Sequence, residues 1–123
     1  MTKGEALYNF FSGFGMAAYA SSAVPHDVTF PYLTYDNVID AWGGGEVSIT
    51  VNLWFYTEGE AMPNAKAEQV SAAIGLGGKI LPCDEGYIWL KRGSPWCQNL
   101  SDEVDKNIKR RYINVTAEYF TLN

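Results

Sequence analysis

The chain has 123 residues, of which 47% are hydrophobic and 19% charged, so it forms one folded domain rather than a disordered segment or two domains. No apolar run approaches the ~20 residues that span a bilayer, the N-terminus lacks the apolar core of a signal peptide, and two cysteines are too few for a small disulfide-rich scaffold. The net charge of −5 argues against nucleic-acid binding as the main role, because that affinity comes largely from neutralising phosphates.

The N-terminal segment predicts an amphipathic helix. Thr2 and Glu5 fit a capping box, in which the threonine caps the helix and the glutamate reaches back to its amide. One helical face is formed by Leu7, Phe10, Phe11, Phe14 and Ala18. Gly13 and Gly15 weaken the helix by about 1 kcal/mol each, so we expect it to pack on a sheet and to end near residues 19–22.

Two strands are expected next. The first begins at Phe30-Pro31, because the residue before a proline is extended, and continues to about Asp40 with an interruption near Asp36. A flexible turn follows at Trp42–Gly45. Residues 46–56 then alternate between apolar and more polar side chains over ten positions, which predicts a strand with one buried face.

The second half predicts a helix, a hairpin and a long strand. The helix runs from about Pro63 to Ile74 and ends at a glycine-rich segment. Short strands at 79–82 and 86–92 flank a turn at 84–86, and 94–105 is expected to be irregular or to carry one helical turn. The last strand covers about 107–122, with Ile113 and its alternate neighbours on one face and Tyr112 and its neighbours on the other.

These elements predict an α+β fold in a single domain, residues 1–123. Short links between strands favour a mainly antiparallel sheet, and two helices packed on one of its faces give a two-layer architecture.

The search for reactive groups gives no catalytic or metal site. His26-Asp27 lies in a proline-containing loop, and Cys83 or Cys97 as a nucleophile needs that one histidine nearby in space. The acidic runs 84–85 and 102–105 do not match a calcium-binding loop. We expect no enzyme activity, no metal and no cofactor, and two reduced, partly buried thiols.

The basic residues cluster near the start of the last strand. Residues 106–123 carry Lys106, Lys109, Arg110 and Arg111 against Glu118, a net charge of +3, so the rest of the chain carries −8. The group Lys109–Arg111 is interpreted as a contact for an acidic neighbour, although such clusters are also typical of solvated strand starts.

The aromatic content is high for so small a sheet. Trp42 beside Gly43, Gly44 and Gly45 is either a mobile hairpin tip or a docking device, since tryptophan offers a large contact area. On the faces opposite the apolar rows lie Trp54, Tyr56, Tyr112 and Phe120. These rings need a cover from a partner subunit, a stacked sugar, or curling of the sheet.

The layout resembles the tail terminator and minor tail (head–tail joining) proteins of bacteriophages with long non-contractile tails. The features that carry the resemblance are the N-terminal helix, the Phe30-Pro31-Tyr32-Leu33-Thr34-Tyr35 entry strand, the long 47–56 strand, the helix near 63–74 and the long final strand. Trp42–Gly45 and the cysteines depart from the family pattern.

The resemblance implies a structural protein of the virion that assembles in the host cytoplasm. It implies a ring, commonly of six copies, that caps the tail tube and docks to the head connector, with DNA only passing through an acidic lumen. Trp42–Gly45, Trp54 and Tyr56, with the basic group, are the predicted contact residues. A head–tail connector or minor capsid protein of the neck shares much of this layout and is the nearer alternative, and an aromatic-faced carbohydrate-binding module is the more distant one.

Overall fold

The computed structural model describes residues 1–123 and contains two α-helices and six strands. The helices are α1 (Lys3–Phe11) and α2 (Ala61–Ile74). The strands are β1 (Ala17–Ala20), β2 (Tyr32–Tyr35), β3 (Glu46–Tyr56), β4 (Lys79–Cys83), β5 (Gly86–Ser101) and β6 (Ile108–Thr121). Neither helix is long and apolar enough to cross a membrane.

The six strands form one curled sheet in the order β1-β2-β3-β6-β5-β4. All neighbours are antiparallel except β1 and β2, which run parallel. The two longest strands, β5 and β6, pair along most of their length, with a register shift between Arg92 and Cys97. The predicted α+β class with a mainly antiparallel sheet is confirmed.

Both helices cover the same face of the sheet. Leu7 and Phe11 of α1 and Val70 and Ile74 of α2 belong to one buried cluster with Leu53 and its alternate neighbours on β3 and β6. The Arg92 guanidinium donates to Ser71 Oγ (2.9 Å), and Lys66 Nζ donates to the Phe14 carbonyl (2.8 Å), which fixes α2 to its surroundings. The opposite face of the sheet carries no helix.

Helix α1 begins as predicted and ends earlier. Thr2 Oγ1 accepts from the Glu5 amide (3.1 Å) and Glu5 accepts from the Thr2 amide (2.9 Å), which completes the capping box and lowers the pKa of Glu5. The expected end near residues 19–22 is wrong. The helix ends at Phe11, a 3-10 turn follows, and Gly15 adopts φ 76°, which terminates it. Ala18 is buried, but it belongs to strand β1 and not to the helix.

Two further boundaries differ from the prediction. The first predicted strand, 30–40, is limited to β2, because only Tyr32–Tyr35 pair with β3. The segment 94–105 is not irregular throughout: β5 continues to Ser101 and pairs again with β6 from Cys97 onward. Residues 97–101 form a strand because they pair with β6. The sequence of this segment alone does not show that pairing.

Tyr119 gives the fold a testable alkaline limit. Its hydroxyl is buried and donates to the Val38 carbonyl, and burial, assisted by Asp40, raises the pKa of Tyr119 to about 12. The protonated Tyr119 hydroxyl therefore contributes its full stabilisation to the fold below pH ~10, and this stabilisation is lost as the pH rises toward ~12. Over that range we expect a loss of about 2–3 kcal/mol in unfolding free energy, at 1.36 kcal/mol per pKa unit.

Urea unfolding at pH 8, 10 and 11.5 measures this loss. The variant Tyr119→Phe should be less stable than wild type at pH 8 and should lose less between pH 10 and 11.5. If both proteins lost the same unfolding free energy between pH 10 and 11.5, the raised pKa of Tyr119 would be contradicted.

Candidate functional site

The uncovered sheet face is built from alternate residues of β3 and β6. On β6 these are Arg110, Tyr112, Asn114, Thr116, Glu118 and Phe120, and each of them is partly exposed. The intervening residues of β6 are buried under the helices. This strict alternation confirms the two-faced pattern predicted for both strands, and it leaves one broad face without a cover.

Five aromatic side chains gather at the end of this face where β3 finishes. We call them the Trp54 cluster: Tyr19, Phe30, Tyr32, Trp54 and Tyr56. The Tyr32 and Trp54 rings stack with centroids 5.9 Å apart, and Phe30 lies 5.9 Å from Tyr56. Tyr56 is 55% exposed. The predicted site residues Trp54 and Tyr56 therefore belong to one aromatic surface.

Trp54 is held in place from several sides. Its Nε1 donates to Thr34 Oγ1 (3.1 Å), and the Arg110 guanidinium lies 5.1 Å from its ring centroid. A cation over an indole ring is attractive and favours a fixed geometry. These contacts hold the Trp54 ring in one orientation at the centre of the cluster.

A second aromatic group lies at the opposite end of the same face. We call it the Trp42 group: Trp42, Tyr87 and Phe120. Trp42 is 64% exposed, and its ring meets Phe120 edge-on at 5.6 Å. Phe120 and Arg110 are ten positions apart on β6, so the two aromatic groups are roughly 33 Å apart along the strand. They are two separate aromatic surfaces on one face of the sheet.

The three glycines after Trp42 form a hydrogen-bonded turn with a defined backbone conformation. Gly43 and Gly45 adopt φ values of 97° and 74°, which residues with a side chain rarely adopt. A Cβ at Gly44 would collide with the Asp40 carboxylate. The Trp42 amide donates to the Thr121 carbonyl (3.1 Å) and the Gly44 amide to the Ala41 carbonyl (3.2 Å). This hydrogen-bonded turn presents Trp42 at the end of β6.

The basic group predicted as one contact is divided between the two faces. Lys109 and Arg111 lie on the buried face, with only 7% and 1% of their surface exposed, whereas Arg110 lies on the uncovered face. Lys109 and Arg111 are therefore not placed to meet an acidic neighbour, and that interpretation is corrected for both. Arg110 is partly exposed, and its contact with an acidic neighbour stays a prediction.

Arg111 instead joins the sheet to helix α2. Its guanidinium donates to Asn64 Oδ1 (2.9 and 3.2 Å) and forms an ion pair with Glu60. The hydrogen bond from Arg111 lowers the pKa of Glu60. A buried guanidinium needs such partners, because an unpaired buried charge is strongly destabilising.

The middle of the uncovered face is polar and charged. Lys91 Nζ lies 3.1 Å from Glu46 and 3.4 Å from Glu118, and 4.0 Å from the centre of the Trp89 ring. Asn52 Oδ1 is buried there without a hydrogen-bond partner. Sequence analysis did not single out these residues, because the register that pairs Glu46 with Glu118 cannot be read from the alternation within either strand.

The groups considered for catalysis are not brought together. Cys83 is on β4 and Cys97 on β5, while His26 lies in the loop before β2, on the other side of β3 and β6 in the sheet order. Both cysteines are free, and burial raises the pKa of each thiol. The structure contains no group of three or more His, Cys, Asp or Glu side chains that could hold a metal ion.

A scan against protein-family models, a search of curated proteins and a search of solved structures found no match to this chain.

Proposed function

We propose that the chain is a structural protein of a bacteriophage tail, namely a tail terminator whose copies form a ring. The family resemblance implies that this ring is a hexamer. The ring caps the tail tube and docks to the head connector, and DNA only passes through its lumen. The protein acts without catalysis or a cofactor, in the virion after assembly in the host cytoplasm. A neck connector or minor capsid protein is the nearest alternative.

The observation that carries the proposal is the uncovered sheet face with its two aromatic groups. Each group is fixed within the chain and exposes apolar ring surface, through Tyr56 in one and Trp42 in the other. Exposed apolar patches with polar surroundings mark protein contacts, and aromatic residues with arginine are enriched at such contacts. Two separate areas suit a subunit that meets more than one neighbour.

The acidic character of the chain fits passage of DNA. A net charge of −5 gives a surface that repels phosphate groups, so DNA slides through a lumen without being retained.

Trp42→Ala tests the second contact area. We expect normal folding, because Trp42 is largely exposed, and at least about tenfold weaker assembly, the loss typical of a tryptophan at the centre of an interface. Thermal unfolding checks the fold, and light scattering with negative-stain images checks assembly. Leu76→Ala is the control, because Leu76 is 99% exposed on a different loop. A Trp42→Ala protein that assembles as well as wild type would remove this site from the proposal.

The carbohydrate-binding alternative is favoured by one observation, the exposed Phe30 and Tyr56 rings of the Trp54 cluster. The central Trp54 ring is already contacted by Tyr32 and Arg110, which leaves less ring surface for a sugar. Titration with oligosaccharides, followed by tryptophan fluorescence, separates the two functions. Saturable binding by a monomeric protein would favour the glycan module over the tail protein.

A further inference from the structure

The turn between β5 and β6 presents an exposed apolar side chain. Val104 is 97% exposed, and it stands between Glu103 and Asp105 with Asp102 one residue further back. We call residues 102–105 the Val104 tip. The Val104 side chain contributes nothing to the core of its own chain and is free to enter an apolar surface of another molecule.

The Val104 tip is fixed by its own hydrogen bonds. Asp102 Oδ1 accepts from the amides of Val104 (2.8 Å) and Asp105 (3.0 Å), and these bonds lower the pKa of Asp102. Asp105 Oδ1 accepts from the Asn107 amide (3.0 Å), and the Asp102 amide donates to the Ile108 carbonyl (3.2 Å). An ordered tip loses less conformational entropy on docking than a flexible one.

An apolar groove with a basic residue lies at the other end of the molecule. The groove, of about 360 Å³, separates α1 from the edge strand β4, and its walls include Met1, Ala6, Phe10, Lys79, Leu81 and Pro82. The N-terminal amine is paired with Asp84 (2.7 Å), whereas Lys79 is exposed and forms no ion pair. Lys79 therefore gives the groove a positive charge that is not paired within the chain.

The tip and the groove are too far apart to meet within one chain. Leu81 in the groove pairs with Ile88 of β5, and the strand ends thirteen positions later at Ser101, beside the tip. Because β5 is irregular between Arg92 and Cys97, the separation is better taken from β6, where the partners of Ile88 and Ser101 are ten positions apart, roughly 33 Å. Only another molecule can bring the two surfaces together.

We propose that the Val104 tip of one copy docks in the groove between α1 and β4 of the next copy. Val104 enters the apolar groove, and the carboxylate of Glu103, which makes no hydrogen bond or ion pair in its own chain, approaches Lys79. The occupant is a second copy of this chain because the acidic, apolar tip complements the apolar, basic groove. The proposal rests on the self-association proposed above and names one of its contacts.

Such a contact is head-to-tail, since it joins two different surfaces. A head-to-tail contact repeats from copy to copy and closes into a ring when its rotation closes. It also places opposite charges together between chains that each carry −5, which reduces their mutual repulsion.

The first test is Val104→Asp, measured by light scattering and sedimentation equilibrium of the full chain. We expect an unchanged melting temperature and self-association weaker by about tenfold to a hundredfold, the factor expected when one valine no longer leaves water. Leu76→Asp is the matched control, because Leu76 is equally exposed on another loop, and it should associate like wild type. Equal association by Val104→Asp and wild type would overturn the proposed contact.

A charge exchange gives an independent test. Lys79→Glu and Glu103→Lys should each weaken association, and the double variant should recover at least part of the loss, because it restores an opposite-charge pair across the contact. A double variant as weak as the sum of the single variants would overturn the pairing of Glu103 with Lys79.

The results also separate this contact from the proposed function. Rings that form normally in Val104→Asp would overturn the tip contact and leave the ring proposal standing. Wild-type protein that stays monomeric up to about 1 mM, a concentration at which even weak contacts of this strength are populated, and that also leaves tail tubes uncapped would overturn both.

Discussion

Replacing Phe11 by alanine is expected to lower the free energy of unfolding by about 3–5 kcal/mol, the usual cost of removing a buried phenylalanine. Phe11 has no exposed surface, stacks on Tyr35 of β2 with ring centroids 4.8 Å apart, and touches the edge of Phe10 at 5.2 Å. It is the last residue of α1 and joins that helix to the parallel strand pair. Removing the Phe11 ring leaves a cavity between α1 and β2, and the surrounding side chains fill such a cavity only in part.

Urea denaturation measures the change directly. The control is Tyr8→Ala on the same helix, because Tyr8 is 49% exposed and its loss should cost less than about 1 kcal/mol, as at most surface positions. A Phe11→Ala protein with the stability of Tyr8→Ala would show that α1 is not fixed to the sheet by this ring.

Replacing Gly86 by alanine is expected to cost about 2–5 kcal/mol, from backbone strain and overpacking together. Gly86 opens β5 with φ 152°, and an added Cβ would collide with the Phe120 carbonyl oxygen and lie 2.9 Å from its carbonyl carbon. The obstruction is backbone of β6, which no side-chain rotation relieves. We therefore expect the β4–β5 hairpin to separate from β6 at this end.

Gly59→Ala is the matched glycine control. A Cβ there meets nothing within 4 Å, and the residue has no left-handed φ, so the variant should be as stable as wild type or slightly more stable. Hydrogen exchange of the β4 and β5 amides checks the local effect. Similar melting temperatures for the two glycine variants would contradict the close approach of Gly86 to β6.

The long elements were predictable because each carries its own repeating pattern. Strand β3 alternates over its whole length, β6 does so from Tyr112 onward, and α2 repeats its apolar residues on one helical face. The short strand β1 was not predictable, since its pairing with β2 depends on a partner beyond a loop. The sequence pattern predicts a continuation of the helix there, because Ala18 also fits the apolar face of α1.

The candidate site was predictable in its aromatic part. Trp54, Tyr56 and Phe120 occupy the positions that alternate with buried residues, so their place on the uncovered face follows from the strand pattern. The same rule could have separated Arg110 from Lys109 and Arg111, because these two share the face of buried Ile113. The partners of Arg111, Glu60 and Asn64, could not be identified, since no local pattern relates α2 to β6.

The central claim is that copies of this chain assemble through surfaces that the fold leaves uncovered. Light scattering over a concentration series, with and without tail tubes assembled from the same genome's tube protein, and with negative-stain images of any large species, tests it most directly. The account predicts a closed ring whose mass is a multiple of 13.6 kDa, free in solution or at the end of the tube. A protein that remains at 13.6 kDa at every concentration and leaves the tubes uncapped would contradict it.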